Sequence, residues 1–129
     1  HVFTVDDLKY LHRGGRVSKT AAVAGSILGI KPLLHVDNDG HLIPVGKIRG
    51  RKQSIDKLVD MMCERMGSWD NSTVAICHGD CIADAEYAAD LMRKKLGKKT
   101  TVHICYTGSV IGSHSGPGTL ALFFMGDKR

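Results

Sequence analysis

Two segments of the chain carry apolar residues at helical spacing. The first holds Ile55, Leu58, Val59, Met62 and Met66, and the second holds Ala85, Ala88, Ala89, Met92 and Leu96. Apolar residues three and four positions apart predict amphipathic helices that bury one face. We interpret the methionines on the first stripe as core filler and not as part of a cofactor site.

A β-hairpin is predicted in the segment that precedes the first amphipathic helix. Its arms are Pro32–Val36 and His41–Ile48, joined by Asp37–Gly40, whose Asp-Asn-Asp-Gly sequence is typical of a tight turn. Pro44 and Gly46 interrupt the second arm and indicate an edge strand or a bulge.

Three further apolar runs predict strands in the second half of the chain. They are residues 73–78 and 101–106, which flank the second amphipathic helix, and residues 119–125 near the end. Runs of this length and apolarity are typical of strands inside a sheet.

The N-terminal segment is predicted to be helical. Thr4–Asp7 is suited to cap a short helix that ends near Arg13, with acidic residues in its first turn. Ser18 is suited to cap a second helix, Thr20–Leu28, which Gly29 would end. The residues of that second helix are small and apolar on nearly every side, which predicts that the helix is buried or contacts an apolar ligand.

These elements follow the order ααββαβαββ along a chain of 129 residues. We therefore predict a single two-layer α/β domain over residues 1–129, with a mixed β-sheet of about five strands and helices mainly on one face. The chain begins with His1 and not with methionine. We expect it to be one domain of a longer protein.

Composition indicates a soluble globular protein, with 43% hydrophobic and 24% charged residues. No apolar run approaches the roughly 20 residues that span a bilayer. The cysteines Cys63, Cys77, Cys81 and Cys105 do not form a disulfide-framework pattern. Reduced thiols are the simpler interpretation, and they predict a cytoplasmic location.

The net charge of +5 and the clustered basic residues favour an anionic partner. A basic nucleic-acid-binding or regulatory module is therefore one hypothesis. Aromatic residues make up only 5% of the chain, which leaves few side chains for base stacking. No standard nucleic-acid-binding motif is present, so we expect no nucleic-acid partner.

Two segments carry residue types found in metal or catalytic sites. The segment Cys77–Cys81, together with His103 and Cys105, carries possible zinc ligands, but their spacing matches no standard zinc motif. Ser113 and His114 are sequence neighbours, whereas a nucleophile and its base must face one another. We predict no metal and no catalytic residue.

The most unusual stretch is Ile111–Gly118, which contains three glycines and a proline. Glycine and proline predict a tight loop whose backbone N–H groups could converge on an anion. Ser113, His114 and Ser115 add hydroxyls and an imidazole that could orient a carboxylate or phosphate. The alternative is a structural turn without a ligand.

Four motifs in order resemble the DegV family of bacterial fatty-acid-binding proteins. They are Leu11–Ser18, Ile30–Leu34, Ile48–Lys52 and Ile111–Gly118. The resemblance covers essentially the whole chain but only the family's C-terminal domain. It implies that an N-terminal lobe of the same protein, absent here, supplies hydroxyl ligands to the fatty-acid carboxylate.

The resemblance implies a carrier and not an enzyme. Family members enclose a long-chain fatty acid, and a separate ATP-dependent fatty acid kinase subunit phosphorylates its carboxylate for phospholipid synthesis. No cofactor is implied besides the bound fatty acid, and membrane contact would be transient at most.

The resemblance also assigns candidate residues. His114 matches a carboxylate-side ligand, and Arg16 and Arg49 (or Arg51) match arginines near the mouth of the site. We place Ser113, Ser115 and Arg16 with His114 at the carboxylate, and we expect Arg49 and Arg51 to be exposed for contact with the kinase. The acyl chain would lie against Ala22, Val23 and Ile27 of the apolar helix.

Overall fold

The computed structural model describes residues 1–18, 29–97 and 99–127. In these ranges the strands are β1 (Val2–Thr4), β2 (Ile30–Val36), β3 (Leu42–Arg49), β4 (Thr73–His78), β5 (Thr101–Tyr106) and β6 (Leu120–Phe123). The helices are α1 (Lys9–Arg13), α2 (Arg51–Met66), α3 (Ile82–Leu96) and α4 (Ser109–Ser115). The predicted helix Thr20–Leu28, with Ala22, Val23 and Ile27, lies outside the described residues.

The strands form one mixed sheet in the order β3-β2-β1-β6-β4-β5. β4 and β5 are parallel and the other neighbours are antiparallel. The predicted mixed sheet is confirmed, with six strands in place of about five. The additional strand is β1, whose last residue, Thr4, we had assigned to a helix cap. It is only three residues long, and its pairing with both β2 and β6 makes it a strand.

The predicted hairpin is confirmed by the pairing of β2 with β3. The register shifts between Leu33 and Leu34, which pair with Gly46 and Pro44, so Val45 forms a bulge. β3 lies at one edge of the sheet. Pro44 and Gly46 had indicated an edge or a bulge, and β3 has both features.

Helices α2 and α3 pack on one face of the sheet and build the main core. Their predicted stripes pack there against inward-facing residues of the strands, including Val74, Ile76, Leu120 and Leu122, and only Met66 and Leu96 at the helix ends are partly buried. The predicted two-layer α/β arrangement is therefore confirmed. Because side chains alternate along a strand, the intervening residues face the other side of the sheet.

The opposite face of the sheet is covered unevenly. At β1 and β2, a second cluster forms around α1 from Phe3, Val5, Leu8, Leu11 and Leu34. Farther along the sheet, the residues Ala75, Cys77, His103, Cys105 and Phe123 are half-buried or exposed. We call these five residues the open face.

Among the described residues, no helix combines the length and the apolar character needed to cross a bilayer.

Candidate functional site

The stretch predicted to be a glycine-rich loop is largely helical. Helix α4 covers Ser109–Ser115, and the amide of Gly116 donates to the carbonyl of Gly112 at its end. Gly116, which follows the helix, has a φ of 81° and a ψ of 174°, a conformation that glycine adopts far more readily than other residues. The prediction of a loop was therefore wrong before Gly116, and the turn is confined to Gly116–Gly118.

The two serines of this stretch hydrogen-bond within their own helix. Ser113 Oγ donates to the carbonyl of Val110 at 2.7 Å, and Ser115 Oγ donates to the carbonyl of Ile111 at 2.9 Å. Ser113 is exposed, whereas Ser115 is only 4% exposed. Such back-bonding occupies the hydroxyl protons, so a ligand would have to compete for them.

Helices α1 and α4 approach each other through two glycines. A Cβ atom on Gly14, at the end of α1, would overlap the ring of His114. A Cβ atom on Gly116, at the end of α4, would overlap the ring of Tyr10. Each helix therefore leaves space for a ring of the other, and this packing positions His114.

Arg16 lies at the same place. Its Nη1 donates to the carbonyl of Gly14 at 2.6 Å, and its side chain is otherwise exposed. The imidazole of His114 lies where a side chain on that same glycine would begin. The structure thus places His114 and Arg16 at the same glycine, although they are almost a hundred positions apart in the sequence.

A cleft of about 370 Å³ lies beside α4, at the carboxyl ends of β4 and β5. Its lining consists of His78, Gly79, Asp80, Tyr106, Thr107, Gly112, Gly116 and Pro117. Because β4 and β5 are parallel, the residues that follow each strand meet at the same edge of the sheet, where α/β proteins commonly bind ligands. His114 is not in this lining, although its helix forms one wall.

His78 is the most buried titratable group in the cleft, with 2% exposure. Its Nδ1 accepts a hydrogen bond from the amide of Cys81 at 3.2 Å, so the ring proton lies on Nε2. The ring packs against Tyr106, with 4.4 Å between centroids, and Tyr106 is itself 72% exposed. His78 therefore places an imidazole of fixed orientation next to an accessible aromatic ring.

Two further features of the cleft are an uncommon backbone conformation and a buried hydroxyl group without a hydrogen-bond partner among the described residues. Asp80 has a φ of 51°, an uncommon conformation for a residue other than glycine. Thr107 Oγ1 is buried and has no hydrogen-bond partner among the described residues. Native structures leave few such groups unpaired, and both features are commoner at ligand sites than elsewhere.

Sequence reasoning missed most of this cleft. His78 and Asp80 entered the sequence analysis only within the Cys77–Cys81 segment of possible zinc ligands, and Tyr106 and Thr107 were not selected. The signal that could have found them is their position: His78 and Tyr106 end the two predicted strands that flank α3. Parallel pairing of those strands places their ends together.

Arg51 is not exposed, contrary to our prediction. Its side chain is 20% exposed, Nε donates to Asp84 Oδ2 at 2.8 Å, and Nη2 donates to the carbonyl of Gly118 at 2.7 Å. Nη1 is buried without a partner among the described residues. Arg51 therefore joins α2 to α3 and to the Gly116–Gly118 turn. Arg49 is exposed, as predicted.

The environment of Arg51 includes the thiol of Cys81. Burial raises the pKa of Cys81, and the positive charge of Arg51 opposes that increase. The thiol donates to the carbonyl of Thr119 at 3.3 Å. Cys81 thus remains a protonated, hydrogen-bonded side chain at neutral pH.

In residues 1–18, 29–97 and 99–127, one group of side chains offers three possible metal-binding atoms. Asp37, Asp39 and His41 place one such atom each within 4.8 Å of the others. Asp37 Oδ1 accepts from the amides of Asp39 and His41, and the His41 bond is the main factor that lowers the pKa of Asp37. These hydrogen bonds stabilise the turn of the hairpin, and they explain why the three side chains lie close together.

Comparison with known proteins identifies the family. A family model described as "Uncharacterised protein, DegV family" matches residues 1–127.

The chain belongs to the DegV family.

Curated DegV relatives are longer than this chain. A DegV domain-containing protein of Clostridium perfringens is 47% identical over 129 residues, which is all of this chain but 44% of the relative. The chain therefore spans less than half the length of the relatives it matches. The family resemblance inferred from the four ordered motifs is confirmed.

Solved DegV structures share the fold. A fatty acid binding DegV family protein from Streptococcus agalactiae has a TM-score of 0.80 and 32% identity, covering 98% of this chain and 44% of that protein. A DegV family protein from Eubacterium eligens, loaded with heptadecanoic acid, has a TM-score of 0.85 and 26% identity, covering 98% and 45%.

The contact between Gly14 and His114 gives a first prediction. Gly14 has a φ of −77°, which alanine adopts freely, so conformation alone predicts that Gly14→Ala stabilises slightly. The overlap of the new Cβ atom with the His114 ring should turn this slight stabilisation into a destabilisation and lower the free energy of unfolding by about 1–3 kcal/mol. Urea denaturation measures the change.

Gly108→Ala is the matched control. Gly108 also has an ordinary φ, of −57°, and a Cβ atom there would meet nothing within 4 Å. This variant should be neutral or up to about 1 kcal/mol more stable. Equal effects at the two glycines would show that the α1–α4 contact does not constrain position 14.

The two arginines give a second prediction. Arg51→Met keeps an unbranched side chain about as long as the aliphatic part of arginine, but it leaves the Asp84 carboxylate and the Gly118 carbonyl without their donor. We expect the free energy of unfolding to fall by about 1–3 kcal/mol. Arg49→Met, at an exposed position, should change it by less than about 0.5 kcal/mol. Similar urea midpoints for the two variants would contradict the structural role of Arg51.

Proposed function

We propose that this chain is the part of a DegV protein that binds a long-chain fatty acid, with the carboxylate held near His114. The observation that carries the proposal is the match over nearly the whole chain to a DegV protein loaded with heptadecanoic acid. The Streptococcus agalactiae neighbour, which is more similar in sequence, is likewise described as fatty acid binding.

The carboxylate site in this proposal is the contact between α1 and α4. His114 and Arg16 both meet Gly14, and an imidazole and a guanidinium there would give a carboxylate charge-assisted hydrogen bonds. Ser113 is exposed, so its hydroxyl would also donate to the carboxylate once its hydrogen bond to the carbonyl of Val110 is broken. Ser115 remains a prediction, because its buried hydroxyl would first have to leave the carbonyl of Ile111.

The acyl chain would occupy apolar surface next to this site. Tyr106, Val110 and Ile111 are large apolar residues that are 64–72% exposed at the cleft and at the start of α4. Exposed apolar surface of this kind commonly marks a ligand or a partner. Ala22, Val23 and Ile27 remain predicted parts of the pocket.

The remainder of the protein would complete the enclosure. This chain matches only 44% of the Clostridium perfringens relative, so more than half of that relative's length lies outside the match. We propose that an N-terminal lobe of the same protein covers the apolar surface and supplies further ligands to the carboxylate.

The finer role that we propose is presentation of the fatty acid to a separate ATP-dependent kinase in the cytoplasm. The protein would act as a carrier without a catalytic residue or cofactor of its own, and the acyl phosphate would enter phospholipid synthesis. Arg49 supports this role, because it is exposed at the end of β3 and could meet an acidic kinase surface.

The structure gives little support to the alternative of a nucleic-acid-binding module. Two of the basic residues on α3 form ion pairs: Arg93 with Asp90 at 3.1 Å, and Lys95 with Asp60 at 2.9 Å. These acidic partners reduce the positive potential that a phosphate backbone would meet.

His114→Ala in the full-length protein tests the proposed site. Loss of a polar partner to a desolvated carboxylate should cost about 1–3 kcal/mol, which weakens fatty-acid binding about 5- to 150-fold. Displacement of a fluorescent fatty acid measures the affinity. Mass spectrometry of extracted lipid should find long-chain fatty acid in the wild type and less in the variant.

His103→Ala is the control for the loss of an imidazole, because His103 is exposed on another element, β5. It should bind fatty acid like the wild type. Wild-type protein that carries no fatty acid would refute the proposed function. Unchanged affinity in a folded His114→Ala variant would refute only the assignment of His114.

Arg49→Glu tests presentation to the kinase. A reversed charge at an exposed contact should slow acyl-phosphate formation about threefold to tenfold at low salt, while fatty acid stays bound. The difference from the wild type should shrink as salt screens the attraction. Lys94→Glu makes the same change at an exposed position on α3 and should have little effect. Equal rates for Arg49→Glu and the wild type at low salt would contradict the assignment.

A further inference from the structure

Two cysteine thiols face each other on the open face of the sheet. Cys77 of β4 and Cys105 of β5 are register partners in the parallel pair, and their Sγ atoms lie 2.9 Å apart. Both are free thiols. We propose that Cys77 and Cys105 form a redox-active dithiol that reacts with low-molecular-weight disulfides and closes a reversible cross-strand disulfide.

The geometry requires little movement. Neighbouring strands lie about 4.8 Å apart, which falls within the range of Cα–Cα distances that disulfides span. The sulfur atoms would have to move together by roughly 0.9 Å to reach bonding distance. Because both residues belong to paired strands, their side chains are already held on the same face of the sheet.

The two thiols differ in access, and this difference sets the order of attack. Cys105 is exposed, whereas Cys77 is half-buried. Burial is the main factor that raises the pKa of Cys77 to about 11, and the neighbouring Cys105 adds to the increase. Cys105 therefore reacts first, and Cys77 is the thiol that resolves the intermediate.

The chemistry balances in two exchange steps. The Cys105 thiolate attacks one sulfur of the disulfide R–S–S–R, which forms a Cys105–S–S–R bond and releases R–S⁻. Cys77 loses its proton to solvent and attacks the Cys105 sulfur, which releases the second R–S⁻. The cysteine pair gives up two electrons and two protons, and the disulfide is reduced to two thiols.

The other two cysteines do not share this arrangement. Cys81 donates its S–H to the carbonyl of Thr119 and lies beside Arg51. Cys63 is half-buried on α2, packed against the main core, and burial raises its pKa. An exposed disulfide is of the labile kind, so the Cys77–Cys105 bond should open again when reductant is restored.

The experiment uses the intact protein and glutathione disulfide as the probe. Reduced protein is equilibrated with defined ratios of glutathione to glutathione disulfide, free thiols are blocked, and mass spectrometry of proteolytic peptides locates every modification. We expect a Cys77–Cys105 crosslink in the wild type, and its loss when glutathione is added back. The variant Cys63→Ala is the control and should form the same crosslink.

Two variants separate the roles of the thiols. Cys77→Ser should stop at a stable mixed disulfide between Cys105 and glutathione, because the resolving thiol is gone. Cys105→Ser should lose both the crosslink and the mixed disulfide. The proposal is overturned if the wild type accumulates only the mixed disulfide, if Cys105 resists glutathione disulfide and thiol-alkylating reagents alike in the intact protein, or if Cys105→Ser reacts as fast as the wild type.

Discussion

The reciprocal contact between two short helices is the constraint on which the candidate site depends. Helices α1 and α4 have five and seven residues, too few to be stable alone in water. Gly14 and Gly116 lack side chains at the points where His114 and Tyr10 enter. The helices can therefore approach closely, and their close approach gives the imidazole a defined position next to Arg16.

Helix α4 contributes to two different environments. Gly112 within the helix and Gly116 directly after it line the cleft at the carboxyl ends of β4 and β5, whereas His114 lies against α1. A helix with fewer glycines would fill the cleft with side chains. The glycine content that first suggested a loop thus serves close packing on one side and open volume on the other.

Arg51 links this region to the main core. Its guanidinium donates to Asp84 of α3 and to the carbonyl of Gly118 in the turn that follows α4. The backbone bonds at this point tie the turn to the segment after β4: the amide of Gly118 donates to the carbonyl of Gly79, and the amide of Gly79 donates to the carbonyl of Thr119. One partly buried cation therefore sets the position of the turn relative to the two long helices.

Local pattern predicted the regular elements well and the irregular ones poorly. The runs 73–78 and 101–106 became β4 and β5 with the predicted bounds, and the stripes of α2 and α3 are buried, because burial on one face leaves a periodic signal. β1 was missed because three residues carry no period. The exposure of Arg51 was wrong because its partner Asp84 is 33 positions away, and distant pairing leaves no local signal.

The position of β6 has a consequence for the order in which the fold forms. β6 lies between β1 and β4, so it alone connects the β3-β2-β1 part of the sheet to the β4-β5 part. On the ribosome, residues 120–123 emerge after all the other strands. Until then β1 and β4 each present an unpaired edge, which is the surface through which nascent chains aggregate. The two parts of the sheet can therefore join only after β6 has been synthesised.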